Sequence, residues 1–271
     1  MGKVVKASPK NWSTRESLEF YSVSRRRITD LYDSEKVFLP RMLKPGMKVL
    51  DVGCALGGFY NIMKEIMPSI SYYGCDFAET LIRRAKKDNT GAEFLVANSA
   101  RLPFADGSFD LVNCAGTCHM IPDYREAIRE IYRITGRFCI FDVRLTDRKI
   151  DFDMNTCYQK LSFGPSGWDG ESLSPYVIVN AREFLRQLLS DLTPKPKAVY
   201  ATGYLRAPAA GVVAPLREVC MAVFMLEKPE CSFNGRTEIC MDIPYDYTEE
   251  EEFKEDLWFG PSKLHERLGQ K

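Results

Sequence analysis

The chain has 271 residues, 45% of them hydrophobic and 12% aromatic, with 37 basic and 37 acidic side chains. That length and apolar content suit one large domain with appendages. Zero formal net charge argues against nucleic acid or an anionic membrane as the main partner.

No run of 18 apolar residues exists, so no transmembrane helix is expected. The opening stretch MGKVVKASPK lacks the apolar core of a signal peptide. Gly2 would suit myristoylation, but Lys6 stands where that signal wants Ser or Thr. The nine cysteines (54, 75, 114, 118, 139, 157, 220, 231 and 240) are an odd number, and several fall in apolar strands. They read as reduced core thiols of a cytoplasmic protein. Cys114, Cys118 and His119 lie close together, but no second cysteine pair has zinc spacing and the other histidine is His265, so no metal is expected.

Residues 1–46 read as an amphipathic helical cap. Ser13 and Glu16 form a capping-box pattern, and Leu18, Tyr21, Ile28 and Leu31 would face inward. Arg25-Arg26-Arg27 reads as a solvated helix face or a contact to an anionic group. Pro45-Gly46 ends this segment.

Met47 to Val52 then forms an aliphatic strand ending near Asp51, followed by glycines at 53, 57 and 58. Phe59, Ile62, Met63 and Ile66 are spaced to line one helix face. A strand, a glycine turn and a helix let backbone approach a ligand closely. Ala55 occupies a position where the dinucleotide fingerprint requires glycine, which disfavours a dinucleotide oxidoreductase.

Ile70 to Cys75 is a second strand tipped by Asp76, an acid placed to grip both hydroxyls of a ribose or to cap the helix over 78–87. Phe77 could pack on a base. A third strand covers 92–97 and leads to Asn98-Ser99-Ala100. Gly107-Ser108 turns into a fourth strand, 109–114, then the loop 115–123, a helix over 123–135 and a fifth strand over 138–143 ending at Asp142-Val143-Arg144.

The order Asp-x-Gly-x-x-x-Gly-Gly from Asp51, the acid Asp76, the 98–100 turn and the Gly-Ser-Phe-Asp lead into the fourth strand resembles the class I S-adenosylmethionine-dependent methyltransferases over residues 47–145. Asn98 departs from the family's commoner acid there. Alternating strands and helices independently imply a doubly wound α/β sheet. The resemblance implies a Rossmann-like, seven-stranded, mostly parallel sheet in the order 3-2-1-4-5-7-6, with an N-terminal helical cap and C-terminal additions.

It also implies S-adenosyl-L-methionine as cofactor. Asp51, Gly53, Cys54 and Gly57 would cradle its methionine end, with backbone at Cys114 meeting the amino acid. Asp76 would take the ribose, and Phe77, Asn98, Ser99 and Ala100 would surround adenine. His119 is the leading base, with Tyr21 and Asp142 as further catalytic candidates and Arg144 and Tyr158 behind them.

Beyond 145 the aromatic, glycine-rich segment within 146–180, including Gly164-Pro165, Gly167-Trp168 and Gly170, reads as an insertion over the substrate. A helix over 181–192 follows, capped by Asn180. Strands 198–205 and 219–226 would close the sheet at about residue 228, and their long connector suggests a role at the substrate mouth or in self-association. The tail from 229 carries the acid run Glu249–Glu252 and is expected to pack on the body or in an oligomer. The acceptor expected is a small molecule: a sugar, a nucleotide-sugar, or an aromatic or polyketide-like metabolite. An RNA or protein methyltransferase, and a non-catalytic cofactor-binding relative, are the alternatives.

Overall fold

A computed structural model describes residues 8–150, 153, 155–163, 167–230, 235–245, 257–259, 264 and 268–269. Gly2, Lys6, Gly164-Pro165, Cys231, Glu249–Glu252 and His265 lie outside the described residues.

After a single turn at Pro9–Trp12 come α1 (Arg15–Val23), a turn at Ile28–Asp30 and α2 (Asp33–Met42). The central units are β1 (Lys48–Val52), α3 (Gly58–Ile66), β2 (Ser71–Asp76), α4 (Glu79–Asp88), β3 (Glu93–Val96) and β4 (Phe109–Cys114). Then follow α5 (Tyr124–Ile134) and β5 (Thr135–Thr146). Short strands β6 (Tyr158–Lys160), β7 (Leu173–Pro175) and β8 (Val179–Asn180) precede α6 (Ala181–Asp191). The chain closes with β9 (Ala198–Arg206), β10 (Val212–Val213), β11 (Val219–Glu227), β12 (Glu238–Asp242) and β13 (Leu257–Phe259).

The main sheet runs β3-β2-β1-β4-β5-β11-β9-β12-β13. It is parallel from β3 to β5, and β11 is antiparallel to both neighbours. The first seven of these strands follow the order 3-2-1-4-5-7-6. The expected count of seven is too low: β8 pairs with β5, and β12 and β13 extend the β9 edge in parallel, making ten strands. The expected tail is therefore partly sheet. Ile239, Cys240 and Met241 of β12 are fully buried, and they divide between the cores on the two faces.

Strand order reverses between β1 and β4, which opens a crevice at their C-terminal ends. One face of the sheet is covered by α2, α3 and α4 through Phe38, Leu39, Ile62, Met63 and Ile82. The other is covered by α5 and α6, where Phe184 meets Phe224 edge-on at 5.2 Å and Phe141 stacks on Phe224 at 5.8 Å. Such aromatic pairs add about 0.5–1.5 kcal/mol beyond the area they bury.

The N-terminal segment is not one helix. Thr14, not Ser13, caps α1, accepting from the Ser17 amide at 3.1 Å, while the Ser13 hydroxyl turns back to the Pro9 carbonyl. The chain breaks after α1, where Arg25 takes φ +52°. As a result α2 packs on the sheet, whereas Trp12, Leu18 and Tyr21 form a separate apolar cluster with Leu56, Leu81 and Leu161. The inserted segment forms a second sheet, β10-β6-β7, with β10 supplied by the connector between β9 and β11.

Candidate functional site

A cavity of about 780 Å³ runs from the β1–β4 crevice to the underside of the small sheet. Its floor is set by the turn after β1. Gly53 and Gly57 take φ +77°, and Ala55 takes φ +47°, the left-handed region that is costly for a side chain. A Cβ on Gly53 would collide with the Thr117 hydroxyl, so glycine is what lets the β1 and β4 loops approach. The amides of Gly53 and Cys54 donate to the Cys75 carbonyl at 2.8 and 3.0 Å, pinning the turn to β2.

Asp76 ends β2 in the cavity wall and is 7% exposed. Its Oδ1 accepts from the Ala78 amide at 2.9 Å and its Oδ2 from the Ala55 amide at 3.1 Å. Burial pushes its pKa up to about 6, against the pull of those amides. Asp76 thus both positions the start of α4 and presents a carboxylate to the cavity. Ala78, not Asp76, is the residue preceding the helix.

Phe77, Asn98, Ser99 and Ala100 line the same end of the cavity with Gly53 and Cys54. Asn98 closes a turn by accepting from the Ala100 amide at 2.9 Å. Asp51, Gly57 and Cys114, expected against the cofactor, stand one layer behind the wall. Asp51 is buried, accepting from the Tyr72 hydroxyl at 2.7 Å and from Asn113 Nδ2 at 2.8 Å. Gly57 packs so close to the Phe94 ring that a Cβ would sit 2.9 Å from it. The Cys114 thiol faces Cys118 at 3.6 Å within the core.

Two catalytic candidates, His119 and Tyr21, lie in the wall; Asp142 does not. Asp142 is buried, and its Oδ1 accepts from the amides of Gly116 at 2.6 Å and Thr117 at 3.3 Å. Its Oδ2 pairs with Arg144 Nη1 at 2.6 Å and lies 3.4 Å from His119 Nδ1. Burial alone would raise its pKa, but the Arg144 charge and these bonds hold it well below the usual carboxylate range. A carboxylate so held orients neighbours and takes up no proton near neutrality. Tyr21 is kept protonated by burial, so it can donate but not act as a base.

His119 is buried in the turn at Cys118–Met120, edge-on to Tyr176 at 5.5 Å, and its carbonyl accepts from the Val177 amide. Burial and the Arg144 charge lower its pKa, so it is neutral at pH 7. Tyr158 lies outside the wall, and its neighbour Gln159 enters it, as strand alternation dictates. Among the described residues no group of three His, Cys, Asp or Glu side chains is arranged to hold a metal.

Two sets of wall residues carry more than their sequence signal. Arg25 bridges the N-terminal segment and the loops after β1 and β4. Its Nη2 donates to Glu35 at 2.5 Å, its guanidinium lies 4.9 Å from the Tyr32 and Phe59 ring centres, and its Nη1 would sit 3.1 Å from a Cβ on Gly116. Only its place in an arginine triplet marks it in the sequence. Phe163 of the insertion meets Trp12, Phe20 and Tyr21 at 5.5, 5.6 and 5.8 Å, closing the roof onto α1. Nothing local in the sequence announces that contact.

Residues 50–138 match the sequence profile of a family described as a methyltransferase domain. A demethylmenaquinone methyltransferase of Thermus thermophilus is 34% identical over 44% of this chain and 53% of its own length. A cycloartenol-C-24-methyltransferase of Oryza sativa subsp. japonica is 38% identical over 39% of this chain and 33% of its own. The chain thus spans about half or less of the length of these curated relatives. Among solved structures, a SAM-dependent methyltransferase of Methanosarcina mazei superposes with a TM-score of 0.53 at 18% identity, over 73% of this chain and 98% of that one; this likeness concerns the fold.

Proposed function

We propose that this chain, which carries a class I S-adenosylmethionine-dependent methyltransferase domain over residues 50–138, methylates a small organic molecule held beneath the β6–β7–β10 roof. The observation that carries this is the single continuous cavity. Its crevice end has a buried acid and a collision-tight glycine turn, its roofed end is aromatic, and its volume suits a cofactor beside a small acceptor.

The residues present fit the cofactor. Asp76 has open lone pairs toward the cavity for a vicinal diol, and Phe77 offers an aromatic face beside it. Arg25 presents Nη1 next to Gly116, where it would meet the carboxylate of the amino-acid end. When bound, the cofactor supplies a methyl group on a sulfonium, an electrophile that needs alignment more than activation. The chain aligns and dries the site: Tyr21, Trp12 and Phe163 shield it from water.

His119 takes the proton of a neutral acceptor. Its imidazole is uncharged, and with the proton on Nδ1, which lies 3.4 Å from Asp142 Oδ2, the other nitrogen is the acceptor. Asp142 holds that tautomer and, through Gly116 and Thr117, the loop beside it. The acceptor's electron pair forms the new bond to carbon, the carbon–sulfur pair stays on sulfur, and the proton ends on His119. Both curated relatives carry names of small-molecule methyltransferases, in keeping with this acceptor class.

The test is calorimetric titration of S-adenosylhomocysteine, followed by transfer of labelled methyl from S-adenosylmethionine into a metabolite extract. Micromolar-range binding and a labelled small molecule are expected. No binding of either nucleoside ends the reading; label appearing in RNA or protein instead would move the acceptor to a macromolecule.

A further inference from the structure

The roofed end of the cavity is apolar on most sides and positive on one. Trp12, Phe20, Phe163, Leu161, Met120 and Met221 supply the apolar wall. Arg144, Tyr176 and Arg206 supply the polar corner. Arg144 pairs in register with Met221, which pairs with Tyr204, and Arg206 lies two residues on, so strand alternation returns both arginines to one face of the sheet. Tyr176 is buried, and its hydroxyl lies in the field of both Arg144 and Arg206.

The charges in this corner do not cancel. Asp142 neutralises Arg144. Among the described residues no carboxylate pairs with Arg206. Of the wall's two carboxylates, Asp76 accepts from the Ala55 and Ala78 amides at the crevice end, and Asp123 precedes α5 without a side-chain capping bond. Arg206 is exposed at the mouth of the apolar slot, its guanidinium hydrated and not paired, so an anion brought by the ligand would gain a charge-assisted contact there.

We propose that the acceptor is an aromatic or similarly flat apolar molecule bearing a carboxylate, and that Arg206 anchors this carboxylate with the Tyr176 hydroxyl beside it. This names the substrate class of the methyltransferase reading and rests on it. Arg206 closes β9 just before the connector that supplies β10, so the anchor sits at the root of the roof. The carboxylate then fixes one end of the molecule, leaving the other to lie along the aromatic wall toward His119.

The experiment uses the full chain saturated with S-adenosylhomocysteine and titrates it with matched pairs, 2-naphthoate against 2-naphthamide and benzoate against benzamide. The wild-type protein is expected to prefer the acids by on the order of 10-fold, the worth of one charge-assisted contact. R206Q should erase that preference without changing S-adenosylhomocysteine affinity, and R206K should restore part of it. Equal binding of acid and amide, a preference that survives R206Q, or no binding of either acid by the loaded protein would each overturn the acceptor class. A protein that does not bind S-adenosylhomocysteine at all would instead bring down the methyltransferase reading, and this inference with it.

Discussion

Arg25 takes a backbone conformation costly for a side chain and places a guanidinium between the loops that follow β1 and β4. A strained residue persists where its surroundings over-determine it, and here Glu35, Tyr32 and Phe59 do so. If it clamps the amino-acid carboxylate, Arg25→Gln should weaken S-adenosylhomocysteine binding by roughly 10- to 100-fold, the value of a charge-assisted bond. Affinity for methylthioadenosine, which lacks that carboxylate, should not change; calorimetry with both ligands decides. Asp76 makes a prediction of opposite character. Burial raises its pKa to about 6, so the free protein binds a proton there as pH falls through that value. Both diol hydroxyls can donate together only to the ionised carboxylate, so the proton and the nucleoside compete. Affinity should be flat above about pH 7 and fall by about tenfold per pH unit well below 6. Asp76→Asn should lower affinity on the order of 100-fold at pH 7.5 and flatten that profile, and because its amide oxygen can accept from only one of the Ala55 and Ala78 N–H groups, the turn loses one contact as well. A wild-type profile without this inflection would remove the acid from the ribose.

At the scale of the elements, the roof and α1 act together, because Phe163 is the joint between them. Phe163→Ala should raise the acceptor KM several-fold by opening the slot, with cofactor affinity unchanged, since the rings it meets, Trp12, Phe20 and Tyr21, all belong to the N-terminal segment. Initial rates at saturating cofactor check this; a fall in cofactor affinity instead would place the ring elsewhere. The joint also marks where sequence reading stops. The units from β1 to β5 are legible because each is encoded locally: Gly53 and Gly57 need positive φ, Asp76 ends a β-branched and aromatic run, and Ile128 and Ile131 repeat at helical spacing. The span of α5, β4's bounds and the Asn180 cap of α6 are likewise local signals. The small sheet is not, because its three strands have two or three residues each and β10 reaches β6 across more than fifty positions of sequence. The layer of the site is equally invisible locally. Asp51 and Asp76 both end parallel strands, yet the Tyr72 hydroxyl and Asn113 enclose one while the other opens on the cavity.

For the molecule as a whole, the segment after β11 decides how the sheet ends. β9 would otherwise be an edge strand with Val199, Tyr200 and Ala201 buried beside an unpaired row of amides and carbonyls. The chain returns to cover it: the Glu238 amide donates to the Lys197 carbonyl at 3.0 Å, Thr237 Oγ1 donates to the Pro196 carbonyl at 2.8 Å, and β12 runs on in register from Ala198 to Thr202. Burying Ile239, Cys240 and Met241 contributes about 1.5–3 kcal/mol for each of the two larger side chains. That is a large share of the stability of an ordinary domain. Ending the chain at residue 236 should therefore lower the denaturation midpoint markedly and expose a flat edge open to pairing with another copy. Ile239→Ala, which keeps the strand but cuts the side chain, should cost about 2–5 kcal/mol without that exposure. Chemical denaturation of the variant and light scattering of the truncated chain separate the two effects. A truncated protein as stable and monodisperse as the full chain would show that β12 only decorates the sheet. The proposed cofactor site lies at the opposite half of the sheet, at β1, β2 and β4, so Ile239→Ala should retain S-adenosylhomocysteine affinity while losing stability, which is how a contribution to the fold is told apart from one to the chemistry.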